Sequence, residues 1–442
     1  MRPISRRSML GGSAALAVAA TLAACSNGSS SGSENGVYLL NFKPEAEEAL
    51  KTIASAYKDK TGVEVKVVTA ASGTYQQTLQ TEVAKSNPPT IFNINGPVGL
   101  VTWKDYALDL SGTEFVKALT DSSMALTDED GVVYGSPLGV EGYGLIYNAA
   151  ILNKYFAMEG AKATAVDQIK GFDKLKEVVE DMQAKKADLG IEGAFACTSL
   201  ASGEDWRWQT HLANYPVFYE FRDKGVTDAK EIALTYSDNY KQIFDLYLNN
   251  STVAPSAAAA KTVTDSMADF ALGKCAFVQN GNWAWSQISE VEGNTVAEGD
   301  IHFMPIYIGV SGEEKSGIAL GTENYLAVNS QVSETAQKAS IDFLTWLLTG
   351  EGAKMLVDNS VVSVSPYPAF SELTPADPLG KETAQFLANK ELYPINWVFQ
   401  TFPSQEFKNQ LGSHLAQYAS GQEDWSAVKD YFVSAWKSEK SA

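Results

Sequence analysis

Apolar and polar positions alternate along this chain in two different rhythms. Val37 to Phe42 ("VYLLNF") reads as a buried strand, and Pro44 then opens a helix whose apolar positions are Ala46, Leu50, Ile53, Ala54 and Tyr57, with Gly62 as its stop. The β-branched run Val63 to Val68 predicts a second strand, and a helix over Tyr75 to Lys85 ends before Asn87-Pro88-Pro89. A further strand follows from Thr90 to Asn95. Asp130-Gly131 between short apolar runs predicts a hairpin turn. The neighbouring Asp128 and Glu129 lack the alternation of a calcium loop. Helices are predicted over Phe172 to Lys186, Tyr240 to Asn249 and Thr335 to Leu348, the last closed by Gly350 and Gly352. No tandem repeat is visible, and alternating strands and helices over 442 residues imply an α/β fold divided into two lobes.

Charge narrows the function. The chain carries 34 Lys plus Arg against 53 Asp plus Glu, a net charge of −19, which argues against nucleic-acid partners. The N-terminus adds an address. Arg2, Arg6 and Arg7 precede an apolar stretch from Met9 to Ala20 that is too short for a transmembrane helix and has the form of a secretory signal. Arg6-Arg7 leaves both the general and the twin-arginine export routes open. Leu22-Ala23-Ala24-Cys25 resembles a bacterial lipobox, which implies cleavage after residue 24 and lipidation of Cys25. The lipid would then be the protein's one contact with a membrane. Ser26 to Gly36 is a Ser/Gly-rich tether with no apolar residue to bury. Cys197 and Cys275 read as a disulfide pair or as two buried thiols, and three His with no paired Cys at ligand spacing offer no metal site. No cofactor is implied.

Met267 to Gln287 ("MADFALGKCAFVQNGNWAWSQ") resembles the "F..GKAAM...G.W" signature of the bacterial extracellular solute-binding proteins that serve sugar ABC transporters. Weaker matches come in the same order: "AKSNPPTIFNIN", "VVYGSPLGVEGYGLIYN", "GTENYLAVN" and "AQKASIDFLTWLLTGEGAKML". The segments "NGNWAW" and "GVEGYGLIYN" are similar to those of maltose-binding proteins. The resemblance spans Val37 to Trp436. It implies a type II periplasmic-binding-protein fold, two α/β lobes with a three-segment hinge and ligand in the cleft between them. The expected lobes are 37–139 plus 321–358 and 144–317 plus 363–442, with hinges near Val140, Ala319 and Val361. The expected partners are an oligosaccharide and an ABC permease, and the expected state is a monomer.

A sugar offers C–H faces and a rim of hydroxyls, so its site needs aromatic platforms beside planar hydrogen-bonding groups. Trp206 and Trp208, and Trp283 and Trp285, form two Trp-x-Trp pairs. Strand spacing would send one of each pair to the cleft. Trp283 and Trp206 are the expected platforms by position in the motif, with Trp285 and Trp208 left for packing. The resemblance assigns hydroxyl bonding to Glu141, and by position Asp205, Asn95, Asn41, Lys43 and Asn324 are further ligand-facing candidates. Tyr75 would cap the cleft or pack at a helix start. The run Trp397, Phe399 and Phe402 is an expected source of another platform. Two rival functions share these residues. Trp platforms beside Glu141 and Asp205 would also suit a secreted glycoside hydrolase, and the same scaffold would hold a peptide, polyamine or ferric ion. No His lies in a nucleophile motif.

Overall fold

The computed structural model describes residues 36–71 and 73–441. The leader, the Cys25 lipidation site and the tether up to residue 35 lie outside the described residues. Among the described residues eleven strands form two sheets: β1 (Val37–Asn41), β2 (Val65–Thr69), β3 (Ile91–Asn95), β4 (Leu126–Thr127), β5 (Val133–Pro137), β6 (Glu141–Asn148), β7 (Phe277–Gly281), β8 (Ile301–Met304), β9 (Ser316–Gly321), β10 (Asn324–Val328) and β11 (Tyr393–Asn396). Helices cover both faces of each sheet, as fits strands buried on both sides.

The first sheet has the order β2-β1-β3-β10-β5-β4. β1 is parallel to β2 and β3, and every residue of β1 is buried. The helix Glu47–Thr61 buries Leu50, Ile53, Ala54 and Tyr57, the stripe read from the sequence. Gly62, at φ 77°, closes the helix through its N–H to Lys58 O. β10 enters antiparallel between β3 and β5 and sets Asn324 opposite Asn95. The Asp128 to Gly131 segment is the expected turn. Asp128 Oδ1 accepts from the N–H groups of Asp130 and Val132, and its other oxygen pairs with Lys104 at 2.6 Å.

The second sheet has the order β11-β9-β6-β7, with β8 also on β6. Its register puts Tyr143 opposite Gly281 and Glu141 opposite Gly321. Cys197 and Cys275 are both buried free thiols here, so the two are not joined.

The chain passes between the sheets three times, and those passages are stitched together. Leu138 N–H donates to Asn324 O, Val140 N–H to Val364 O, and Ser365 Oγ to Leu138 O. Ala319 lies inside β9, paired with Tyr143, so the middle passage falls later, at Thr322 and Glu323. Beyond Ser365, Tyr367 and Phe370 still pack in the first sheet's core and Leu379 is in a core of the second, so the last change of lobe falls between Phe370 and Leu379, later than the hinge expected near Val361.

Candidate ligand-binding cleft

The cleft is built where strand ends of the two sheets meet. At the end of β1, Asn41 folds the chain into a tight turn: Oδ1 accepts from Lys43 N–H at 3.0 Å, and Nδ2 donates to Thr69 Oγ1 at 3.1 Å. That turn sends the Lys43 ammonium across to Glu141 at the start of β6, where the two form an ion pair. Lys43 is 8% exposed. Burial lowers its pKa, while the charges of Glu45 and Glu323 pull it back up. The lobes also touch at both lips. A Cβ on Gly73 would lie 2.8 Å from Gly203 O, and Gly96 rests on the Gln400 side chain, whose Nε2 donates to Thr322 O.

The floor is aromatic. Trp206 and Trp283 lie with ring centroids 6.0 Å apart and planes inclined by 43°. Both Trp-x-Trp pairs lie at helix starts and not in strands, which corrects the spacing argument, although the two members of each pair still point different ways. Trp208 is buried against Phe244 and Tyr247 with Nε1 donating to Thr198 O, and Trp285 packs against a separate core. Trp206 heads a π-helical turn, Arg207–Leu212, whose i→i+5 bonding places residues five apart on one face. His211 therefore meets Trp206 edge-on at 4.7 Å and stacks on Tyr143 at 4.1 Å. Burial, reinforced by the charges of Arg207 and Lys408, holds His211 well below its ordinary pKa, so it is neutral near pH 7. Trp397 completes the wall, 5.5 Å from Tyr143 and 5.1 Å from Phe399.

Two glycines make room for two indoles. β7 ends at Gly281, onto which the Trp283 ring folds, and β9 ends at Gly321 beneath Trp397. A Cβ would fall 2.2 Å from the Trp283 ring and 2.4 Å from that of Trp397. Gly281→Ala is therefore expected to displace Trp283, shifting tryptophan emission and weakening ligand affinity by about tenfold. Unchanged emission and affinity would show that the ring has room to spare.

Polar atoms surround these rings. Asn95 Oδ1, Thr322 Oγ1, His211 Nδ1, Arg207 Nη1 and Trp397 Nε1 are all buried with no hydrogen-bond partner among the described residues. Buried polar groups are nearly always satisfied, so this cluster of donors and acceptors beside aromatic faces is suited to a ligand rich in hydroxyls. Glu323 sits among them. Burial raises its pKa, against the lowering influence of Lys408, a hydrogen bond from Asn95, and Lys43.

The candidate residues divide. Trp283, Trp206, Glu141, Lys43 and Asn95 come together here. Asn41 is engaged in its turn, and Asn324 Oδ1 accepts from Asn93 Nδ2 at 2.5 Å. Tyr75 is buried, its hydroxyl donating to Asn93 O and accepting from Asn93 N–H, with Phe42 against its ring. Asp205 is 5% exposed and turns its carboxylate toward Gly412 and Gln209 of neighbouring turns. Burial pushes that carboxyl up to about 6, against opposing backbone and Gln209 hydrogen bonds. Its proton is held in the folded state and lost in the unfolded state between about pH 4 and 6, so stability falls as pH rises through that window. Asp205→Asn should remove that slope and raise stability at pH 7 by about 2–3 kcal/mol, as thermal melts from pH 4 to 7 would show. A slope that persists in the variant would assign it to another group.

Sequence reasoning missed Tyr143, His211, Arg207, Glu323 and Lys408. The first lies in "GVEGYG", two residues beyond Glu141 and on the same face of β6. Glu323 is adjacent to Asn324, the candidate in the same segment. The others depend on the π turn and on a helix remote in sequence.

Two α/β lobes crossed three times by the chain, with an aromatic cleft between them, define a two-lobed binding protein of the periplasmic type. The description of bacterial extracellular solute-binding proteins matches residues 52–381, and the chain belongs to that family, whose members act outside the cytoplasm. Solved structures share the fold at low identity. A chitin oligosaccharide binding protein superposes with a TM-score of 0.72 at 18% identity, covering 92% of this chain and 99% of its own. Maltose-bound MalE3 of T. maritima gives 0.66 at 15%, covering 91% and 99%. A sugar transporter from Bacillus licheniformis in complex with stachyose gives 0.64 at 16%, covering 91% and 99%. No curated protein matches the chain at a significant level.

Proposed function

We propose that this protein captures an oligosaccharide outside the cell and delivers it to the permease of an ABC importer. It does so as a monomer held to the membrane through a lipid on Cys25. The observation that carries the reading is the pairing of Trp206 with Trp283, 6.0 Å apart and ringed by buried polar atoms that lack protein partners. Sugar rings would lie on these indoles, and Glu141 and Asn95 would bond their hydroxyls. An ionised carboxylate makes the stronger of those bonds. The lobes would be those expected from the sequence, with 363–370 moved to the first because Tyr367 and Phe370 pack there. Closure about the passages would then report occupancy to the permease. That known structural neighbours were solved with maltose and stachyose supports a sugar as cargo.

Calorimetry of the body from Val37 against purified di- to tetrasaccharides tests this reading. One binder in the micromolar range or tighter is expected, and silence from folded protein across neutral and acidic sugars would overturn it. Reducing-end release on incubation is expected to be nil, whereas sustained turnover would favour the hydrolase. For the anchor, Cys25→Ala is expected to release the protein from the membrane fraction.

A further inference from the structure

Among the described residues, Arg207 is a buried cation of the cleft with no carboxylate in contact. It is 1% exposed, and its guanidinium lies 3.9 Å from the centroid of the Trp206 platform. Nε donates to Asn280 Oδ1 at 3.2 Å, a neutral acceptor, and Nη1 is buried without a partner. Below it Gln279 Nε2 donates to the Arg207 carbonyl, so the backbone under the guanidinium is fixed as well. Lys43 pairs with Glu141, whereas Lys408 lies against the Phe399 ring, 5.5 Å from its centroid, and meets Glu323 only through its field. Two neighbouring carboxylates are engaged elsewhere. Asp205 turns to Gly412, and Glu204 accepts from Val263 N–H. Glu204 and Glu45, the latter on the opposite lobe, act on Arg207 only through their fields. Burial lowers the guanidinium's pKa to about 9, which still leaves it charged at pH 7.

A buried, charged arginine held by a neutral amide and an indole face is destabilising unless an anion meets it. We propose that the cargo carries a carboxylate, as in an oligosaccharide containing a uronic acid, and that Arg207 Nη1 donates to it while the adjoining sugar ring lies against Trp206. This rests on the oligosaccharide reading and narrows it. The guanidinium is suited to the task, since its planar donors match a carboxylate and its charge persists at working pH. Its position behind one face of Trp206 also sets the distance between the acid and the stacked ring, which makes the site selective for where on the sugar the acid is carried.

The test uses the wild-type protein and matched pairs of ligands. Calorimetry would compare oligogalacturonates, oligomannuronates and glucuronic-acid-substituted xylo-oligosaccharides with their carboxyl-reduced counterparts, and include raffinose, stachyose and maltotriose as neutral sugars. At least one acidic member is expected to bind, with its carboxyl-reduced twin about a hundredfold weaker. Neutral sugars binding as tightly as, or in place of, every acidic one would overturn the proposal and leave the oligosaccharide reading standing. No binding by any sugar would remove both. In the variants, Arg207→Lys should lose about tenfold for the acidic ligand and little for a neutral one, and Arg207→Gln more than tenfold. Equal losses for both ligand types in a variant with a native thermal melt would make Arg207 a support for Trp206 alone.

Discussion

Trp283→Ala is expected to weaken oligosaccharide binding about a hundredfold or more, while the protein still unfolds cooperatively near its normal temperature. The indole is half-buried and folds onto Gly281, with Trp206 on one side and the Lys43 ammonium 5.8 Å from its centroid. Aromatic anchors at the centre of a desolvated site cost about 2–4 kcal/mol when truncated, and 1.4 kcal/mol is a factor of ten. The fold depends on it less. Its ring packs at the edge of the second lobe's main core and not within it, in contrast to Trp208, which is 2% exposed. Trp208→Ala should therefore reverse the pattern, lowering the melting temperature first. Calorimetry beside thermal melts reads both, and equal affinity in a folded Trp283→Ala protein would remove the platform assignment.

That contrast within each Trp-x-Trp pair was legible in the sequence, though for a reason the structure replaces. Strand geometry predicts alternation, yet residues two apart on a helix also point to nearly opposite sides. Both geometries separate neighbours at that spacing. The first β-α-β unit was legible for a stronger reason: Leu50, Ile53, Ala54 and Tyr57 form a stripe with only one buried arrangement, and Gly62 supplies the left-handed stop. What was not legible is whatever depends on hydrogen-bond geometry or on segments remote in sequence. Asn41, Asn324 and Tyr75 have the residue types of ligand contacts, but their polar atoms are satisfied by Lys43, Asn93 and Thr69. Asp205 looks like a sugar-binding acid beside Trp206, and a glycine on the helix Gln405–Ala419 is what lets it turn away. His211 joins the aromatic floor only because the helix widens to π geometry, for which no pattern of apolar positions is a signal.

The second large effect concerns closure. Glu141→Ala leaves Lys43 buried without its partner whenever the lobes are shut, whereas in an open molecule the ammonium is hydrated. Removing one member of a buried ion pair costs about 3–5 kcal/mol, and here that cost falls on the closed form alone. The fields of Glu45 and Glu323 at Lys43 set the expectation at the lower end, about 3 kcal/mol, or a shift of about a hundredfold toward open. Small-angle scattering of the sugar-saturated variant should show a larger radius of gyration than the sugar-saturated parent. An unchanged radius would mean that the contacts at Gly73 with Gly203 and Gly96 with Gln400 hold the lobes without the pair. Lys43→Met combined with Glu141→Gln removes both charges, so no unpaired ion remains and closure should return. Affinity then separates two duties of one carboxylate. If Glu141 serves only to hold the lobes, the double variant binds sugar as the parent does; if it also accepts sugar hydroxyls, closure returns while affinity stays about tenfold down, the difference between a charged and a neutral acceptor.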